Sequence, residues 1–147
     1  MPALSLALVE LQFALAAVLL ATCWPPADGA MTIAAGLLLA AGTAAGIASL
    51  SGNRHGNFNI QPYVKDDARL ATTGIYRWVR HPMYSAVLLA MLAVVLLDPR
   101  PWRFAVWLAL GAVLLAKARR EERYLAQRFE QYANYRDRTW KLLPWLW

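Results

Sequence analysis

Apolar residues fall along this chain in long unbroken runs separated by polar blocks. Leu4 to Trp24 is the first run. At about 20 residues, it has the length that carries a helix through a bilayer core. Its strongly polar members are Glu10 and Gln12. Pro25-Pro26-Ala27-Asp28-Gly29 has the composition of a turn. Ala30 to Leu50 follows as a second span, rich in Ala and Gly, where Gly36, Gly42 and Gly46 are expected to admit close helix neighbours. Met83 to Leu97 and Trp102 to Ala116 form a hairpin around Asp98-Pro99-Arg100-Pro101. Each arm is roughly 22 Å long against a hydrocarbon core of about 30 Å. Either flanking residues extend the arms or the hairpin crosses with local thinning of the bilayer.

The polar blocks carry structure of their own. Ser51 to Arg80 holds Phe58, Ile60, Tyr63, Leu70, Ile75, Tyr76 and Trp78, which argues for a segment folded over the membrane face rather than a disordered one. Beyond the fourth run comes Lys117-Ala118-Arg119-Arg120-Glu121-Glu122-Arg123. Leu114, Ala118, Leu125, Phe129 and Tyr132 recur there at helical spacing. This predicts a fourth helix that continues past the membrane surface as an amphipathic helix. The tail from Trp140 to Trp147 sets Trp beside Lys, the pattern of an interfacial anchor. The expected fold is all-α and polytopic, with about four transmembrane helices, a cytosolic loop and a C-terminal amphipathic helix. It forms a single domain over 1–147, with two N-terminal spans in 1–50 and the polar site region in 51–147.

Composition sharpens this reading. The 147 residues are 59% hydrophobic and the mean hydropathy is +0.35, more apolar than a soluble domain, where about half is usual. The net charge of +6 is concentrated at 54–80 and 117–141. Those blocks belong on the cytoplasmic side, which requires four crossings, both termini inside, and turns at 25–29 and 98–101 on the far side. The composition resembles that of a bacterial protein, and an inner-membrane location is expected. The bilayer is the expected partner, nucleic acid is not, and the Gly-rich second span offers a surface for a homo-oligomer. Cys23 is the single cysteine, so no intrachain disulfide or zinc set exists and a buried thiol is expected. The first span lacks the basic n-region of a signal peptide, and Leu20-Ala21-Thr22-Cys23 resembles a lipoprotein cleavage site only faintly.

The candidate chemistry centres on His81-Pro82-Met83-Tyr84. Proline suits the first position of a helix, so Pro82 is read as opening one, with His81 near the cap and Tyr84 in the first turn. So polar a cluster beside a bilayer has to face protein, water or a ligand. The free amides of that turn form an anion site, with Arg77 and Arg80 just outside. An anionic ligand meeting a lipid-soluble one would fit there. Glu121 and Glu122 border the apolar stripe of their helix on opposite flanks, placed either to accept from a ligand hydroxyl or amine or to pair with Arg119, Arg120 or Arg123. Taken singly, His81 reads as a helix cap, and Tyr76 and Tyr84 as interfacial aromatics.

Taken together, Gly74-Ile75-Tyr76-Arg77-Trp78-Val79-Arg80-His81-Pro82-Met83-Tyr84 closely resembles the membrane-embedded isoprenylcysteine carboxyl methyltransferases and their bacterial relatives, with the phospholipid N-methyltransferases more distant. Glu121-Glu122-Arg123-Tyr124-Leu125, then Phe129, Tyr132, Tyr135 and Leu142-Leu143-Pro144, extend the resemblance over roughly Gln61 to Trp147. It implies an S-adenosyl-L-methionine site contacted by Gln61, by Ala68, Arg69, Leu70 and Ala71 through backbone groups, by Tyr76, His81, Pro82, Met83 and Tyr84, and by Glu121. A substrate-contacting Arg of those enzymes falls at Lys117, which keeps the charge and loses the bidentate fork. Lys117, Glu121 and Arg80 are the expected catalytic residues. The implied activity is methyl transfer from S-adenosylmethionine to a lipophilic small-molecule or lipidated acceptor, most like carboxyl methylation of isoprenylcysteine. Phospholipid, small-amine or thiol methylation and a non-catalytic partner-binding role stay open beside it. An amine must lose a proton before it attacks, and the candidate bases His81, Glu121 and Glu122 are claimed by the cofactor, which favours a carboxylate or thiolate acceptor.

Overall fold

The computed structural model describes residues 2–24, 29–52 and 70–143. These residues form α1 (Pro2–Ala21), α2 (Gly29–Gly52), a 3₁₀ turn (Gly74–Arg77), α3 (Pro82–Leu97), α4 (Pro101–Arg128) and α5 (Tyr132–Asp137). Among the described residues, Val79 and Trp140 pair in an isolated parallel bridge. Three helices, α1, α2 and α4, are long and apolar enough to cross a membrane, and α3 is a shorter apolar helix. Their outer faces are apolar: Ile33, Leu37, Ile47 and Leu50 of α2 are all exposed. A soluble chain would bury such a row, and a bilayer solvates it. The chain is an all-α polytopic integral membrane protein.

Local chemistry sets the helix starts. α3 and α4 each begin on a proline, whose missing N–H costs nothing in a first turn. α3 is not extended beyond its apolar run, whereas α4 gains its length at the charged end and runs unbroken for 28 residues, about 42 Å. The predicted amphipathic helix through Phe129 and Tyr132 is not one helix. The chain leaves α4 at Phe129, which is extended (φ −119°, ψ 110°), and restarts as α5. Tyr132 is nonetheless buried. The helical period recorded which residues face inward but not that the axis breaks. The break redirects α5 so that the Tyr135 hydroxyl donates to the Tyr76 carbonyl at 2.7 Å.

α2 packs along α3, α1 along α4, and α3 against α4. A Cβ on Gly42 would lie 3.0 Å from the Ala86 carbonyl oxygen and 3.1 Å from the Ala90 nitrogen, so two backbones meet there. Gly46 lies against Ala86 less tightly, while Gly36 faces open space and takes no part in the contact expected of it. At the far end of the bundle, Arg103 is fully buried. Its guanidinium donates to the carbonyls of Thr22 at 2.6 Å, Leu19 at 3.0 Å and Val94 at 3.1 Å. These lie in or just beyond the last turns of α1 and α3, where helix carbonyls lack intrahelical partners. Asp98 balances the charge at 3.4 Å. One side chain of α4 thereby caps two other helices.

Candidate active site

The opposite end of the bundle holds the charged cluster. His81 occupies the N-cap position of α3, but its side chain does not cap. Its carbonyl takes the amides of Tyr84 at 3.0 Å and Ser85 at 3.2 Å, so two of the amides expected to hold an anion are already engaged. The buried imidazole turns toward α4. Nδ1 lies 3.5 Å from Glu121 Oε2 and Nε2 lies 3.2 Å from Glu122 Oε1. A neutral imidazole has one N–H, so only the protonated ring donates to both. Burial pulls the His81 pKa down, but the hydrogen bonds and charges of Glu121 and Glu122 outweigh it, and the net shift is upward. The two consecutive carboxylates therefore grip one histidine rather than serving separate flanks.

Glu122 gathers further partners from other elements. Arg80 Nε donates to Oε1 at 3.0 Å and Lys141 Nζ to Oε2 at 2.9 Å. Arg80 Nη1 also donates to the carbonyls of Arg136, at 2.7 Å, and Thr139. The tail is laced to the start of α3: Arg80 N donates to Trp140 O at 2.8 Å, His81 N to Lys141 O at 3.1 Å, and Trp140 N to Trp78 O at 2.8 Å. Ser85 Oγ adds a bond to Leu142 O. Residues 144–147 of the expected interfacial anchor lie outside the described residues. Backbone groups before a helix have no helical partners, and the tail supplies them here.

Glu121 faces the other way. Tyr84 donates its hydroxyl to Oε2 at 3.2 Å, and its ring lies parallel to that of His81 with centroids 5.4 Å apart. Among the described residues, both Glu121 contacts fall on Oε2, and the side chain is 35% exposed. Lys117, one helical turn away on the same face, is 2% exposed. Its ammonium sits 5.4 Å from the Tyr84 ring centroid and donates to Gln12 Oε1. Tyr76 enters from the 3₁₀ turn, whose first residue, Gly74, has φ +62°, a conformation that favours glycine. Burial, then the charge of Glu121, push the Tyr76 hydroxyl up to about 12, so it stays neutral.

Of the residues singled out in the sequence, Arg80, His81, Tyr84, Lys117 and Glu121 form one connected cluster, and the charge of Glu121 reaches Tyr76. Pro82 and Met83 complete the first turn of α3. Leu70 and Ala71 are half-buried ahead of the 3₁₀ turn. Gln61, Ala68 and Arg69 lie outside the described residues. Arg77 stacks on the exposed Trp78 ring, 4.9 Å from its centroid, apart from the cluster. Sequence reasoning missed Lys141 and Thr139, which carry no local signal. It noted Gln12 as polar within an apolar span without giving it a role.

A methanethiol S-methyltransferase of Mycobacterium tuberculosis (strain ATCC 25618 / H37Rv) is 37% identical over 71 residues, 48% of this chain and 29% of the relative. The match therefore covers less than a third of that relative's length. A profile of the phospholipid methyltransferase family matches residues 29–132, a stretch that takes in α2, α3, α4 and the whole charged cluster except Gln12, Thr139 and Lys141. This match covers well over half of the chain: the protein belongs to the phospholipid methyltransferase family.

Proposed function

We propose that this chain is an S-adenosylmethionine-dependent methyltransferase whose acceptor is a lipophilic molecule ending in a thiolate or carboxylate. The observation that carries the reading is the convergence of Tyr84, Lys117 and a partly exposed Glu121 at the start of α3. Glu121 Oε1 suits a ribose hydroxyl or an ammonium. The neutral Tyr76 and Tyr84 rings suit a sulfonium through cation–π attraction. Met83, the first turn's remaining amide, suits a carboxylate. Gln61, Ala68, Arg69, Leu70 and Ala71 complete the cofactor's contacts in this reading. Bound there, S-adenosylmethionine supplies an electrophilic methyl group.

The protein's part is to position the two reactants in line. Lys117 orients the acceptor's anionic end. Arg80 acts through Glu122 and the tail, holding His81 and with it the Tyr84 ring. A protonated His81 that donates to two carboxylates is no general base, so an acceptor already ionised is favoured over an amine. The thiol methyltransferase relative supports a thiolate, and the resemblance to isoprenylcysteine methyltransferases supports a carboxylate. The family's description supports a phospholipid acceptor as the second reading. The charged blocks support a topology with both termini on the cytoplasmic side of a bacterial inner membrane. Reporter tags at residue 28 and at the C-terminus should then report opposite sides.

Calorimetric titration of the detergent-purified chain with S-adenosylhomocysteine tests the reading. Saturable binding near one per chain is expected. Tyr84→Ala or Glu121→Ala should weaken it by about tenfold or more, and the exposed Arg136→Ala should not. A folded sample that binds nothing overturns the enzyme reading in favour of a partner-binding membrane protein.

A further inference from the structure

We infer that Gln12 of α1 is a positioning residue of the acceptor site, holding the Lys117 ammonium where the anionic end of the acceptor lies. The inference rests on the acceptor role proposed for Lys117 and adds to it a helix that lies outside the matched family region, residues 29–132.

Lys117 is 2% exposed in a membrane protein. A charge so placed is expensive, and such residues mark functional sites. Two contacts direct the ammonium. Gln12 Oε1 accepts from Nζ, and the Tyr84 ring takes the charge on a second side at 5.4 Å. An ammonium has three N–H donors, so these contacts orient it without exhausting it. Gln12 is neutral and accepts a hydrogen bond without cancelling the charge. Tyr84 in turn donates to Glu121, so the chain Gln12–Lys117–Tyr84–Glu121 links α1 to the proposed cofactor contacts.

The placement on α1 is specific. Ser5, Gln12 and Leu19 recur every seven residues, and Ser5 and Leu19 are buried. This is the face turned to α4. Arg120 Nη2 approaches Ser5 Oγ at 3.4 Å, Lys117 meets Gln12, and Leu19 O takes Arg103. A leucine at position 12 would match the rest of the span and leave Lys117 without its acceptor. A glutamate would keep the shape and neutralise Lys117.

The test is native mass spectrometry of the full detergent-purified chain with decanoate, decanol and decylammonium, probes that share a tail and differ in charge. The wild type should prefer decanoate to decanol by about tenfold, and Lys117→Met should abolish that preference. Gln12→Leu should lower decanoate affinity by about fivefold or more and leave decanol binding alone. Gln12→Glu, isosteric and expected to fold, should erase the preference for decanoate. A merely structural Gln12 would shift thermal stability and leave the charge preference intact, and that result overturns the inference. So does wild-type protein that binds decylammonium as well as decanoate. S-adenosylhomocysteine is titrated into the same samples, and its affinity should move by no more than about twofold in the Gln12 variants. Loss of that binding with a Gln12-dependent decanoate preference sinks the cofactor reading alone. The converse sinks this inference alone.

Discussion

His81 and Glu122 stand 41 positions apart in the chain and 3.2 Å apart in the fold, ring Nε2 to carboxylate Oε1. Arg80 shares that carboxylate, Lys141 takes its other oxygen, and Glu121 faces the second ring nitrogen. The protonated ring is the form this surround stabilises. The His81 pKa is raised above its ordinary value of 6.5, so its contribution to stability is complete below that value and is lost as pH rises through the higher folded-state value. The thermal midpoint in detergent should therefore fall as pH rises above neutrality, and His81→Gln should flatten that part of the curve. Equal slopes for the two proteins would refute the assignment.

Arg80→Lys separates charge from geometry. Lysine keeps an attraction to Glu122 and loses the fork that reaches the Arg136 and Thr139 carbonyls. A loss of about 1–3 kcal/mol is expected, with faster proteolysis between residues 136 and 141. Arg77→Lys, on an exposed ring stack, should stay within about 0.5 kcal/mol of the parent.

Arg103→Met removes the group that caps Leu19, Thr22 and Val94. Leaving those helix-end carbonyls without the guanidinium should cost roughly 2–4 kcal/mol. Arg103 lies at the other end of the bundle, so the pH dependence set by His81 should survive the change. Unfolding by denaturing detergent at two pH values measures both.

Gly42→Ala and Gly36→Ala form a matched pair on α2. The first places a methyl against the α3 backbone at 3.0 and 3.1 Å, and the second meets nothing within 4 Å. The Gly42 variant should lose about 1–3 kcal/mol and the Gly36 variant no more than about 0.5 kcal/mol. A neutral Gly42→Ala would show that α2 and α3 can part without cost.

The spans, the hairpin turn and the helix opened by Pro82 were legible before any coordinates, because run length, proline geometry and turn chemistry act within a few residues. The His81-Pro82-Met83-Tyr84 and Glu121-Glu122 segments stood out for the same reason: polar residues bordering an apolar run are conspicuous wherever they point. Their partners were not legible. Gln12 meets Lys117 across 105 positions, and Arg103 meets Leu19 across 84. Nothing local sets such distances. Helical period records that Tyr132 is buried but not that the axis bends at Phe129, and charge count places Lys141 on one side of the membrane without joining it to Glu122. Local sequence thus specified the helices and the segments that carry the charged cluster. Which charges neutralise one another there depended on how far apart the packed helices and the returning tail came to rest, because a hydrogen bond or ion pair forms only within a few ångströms.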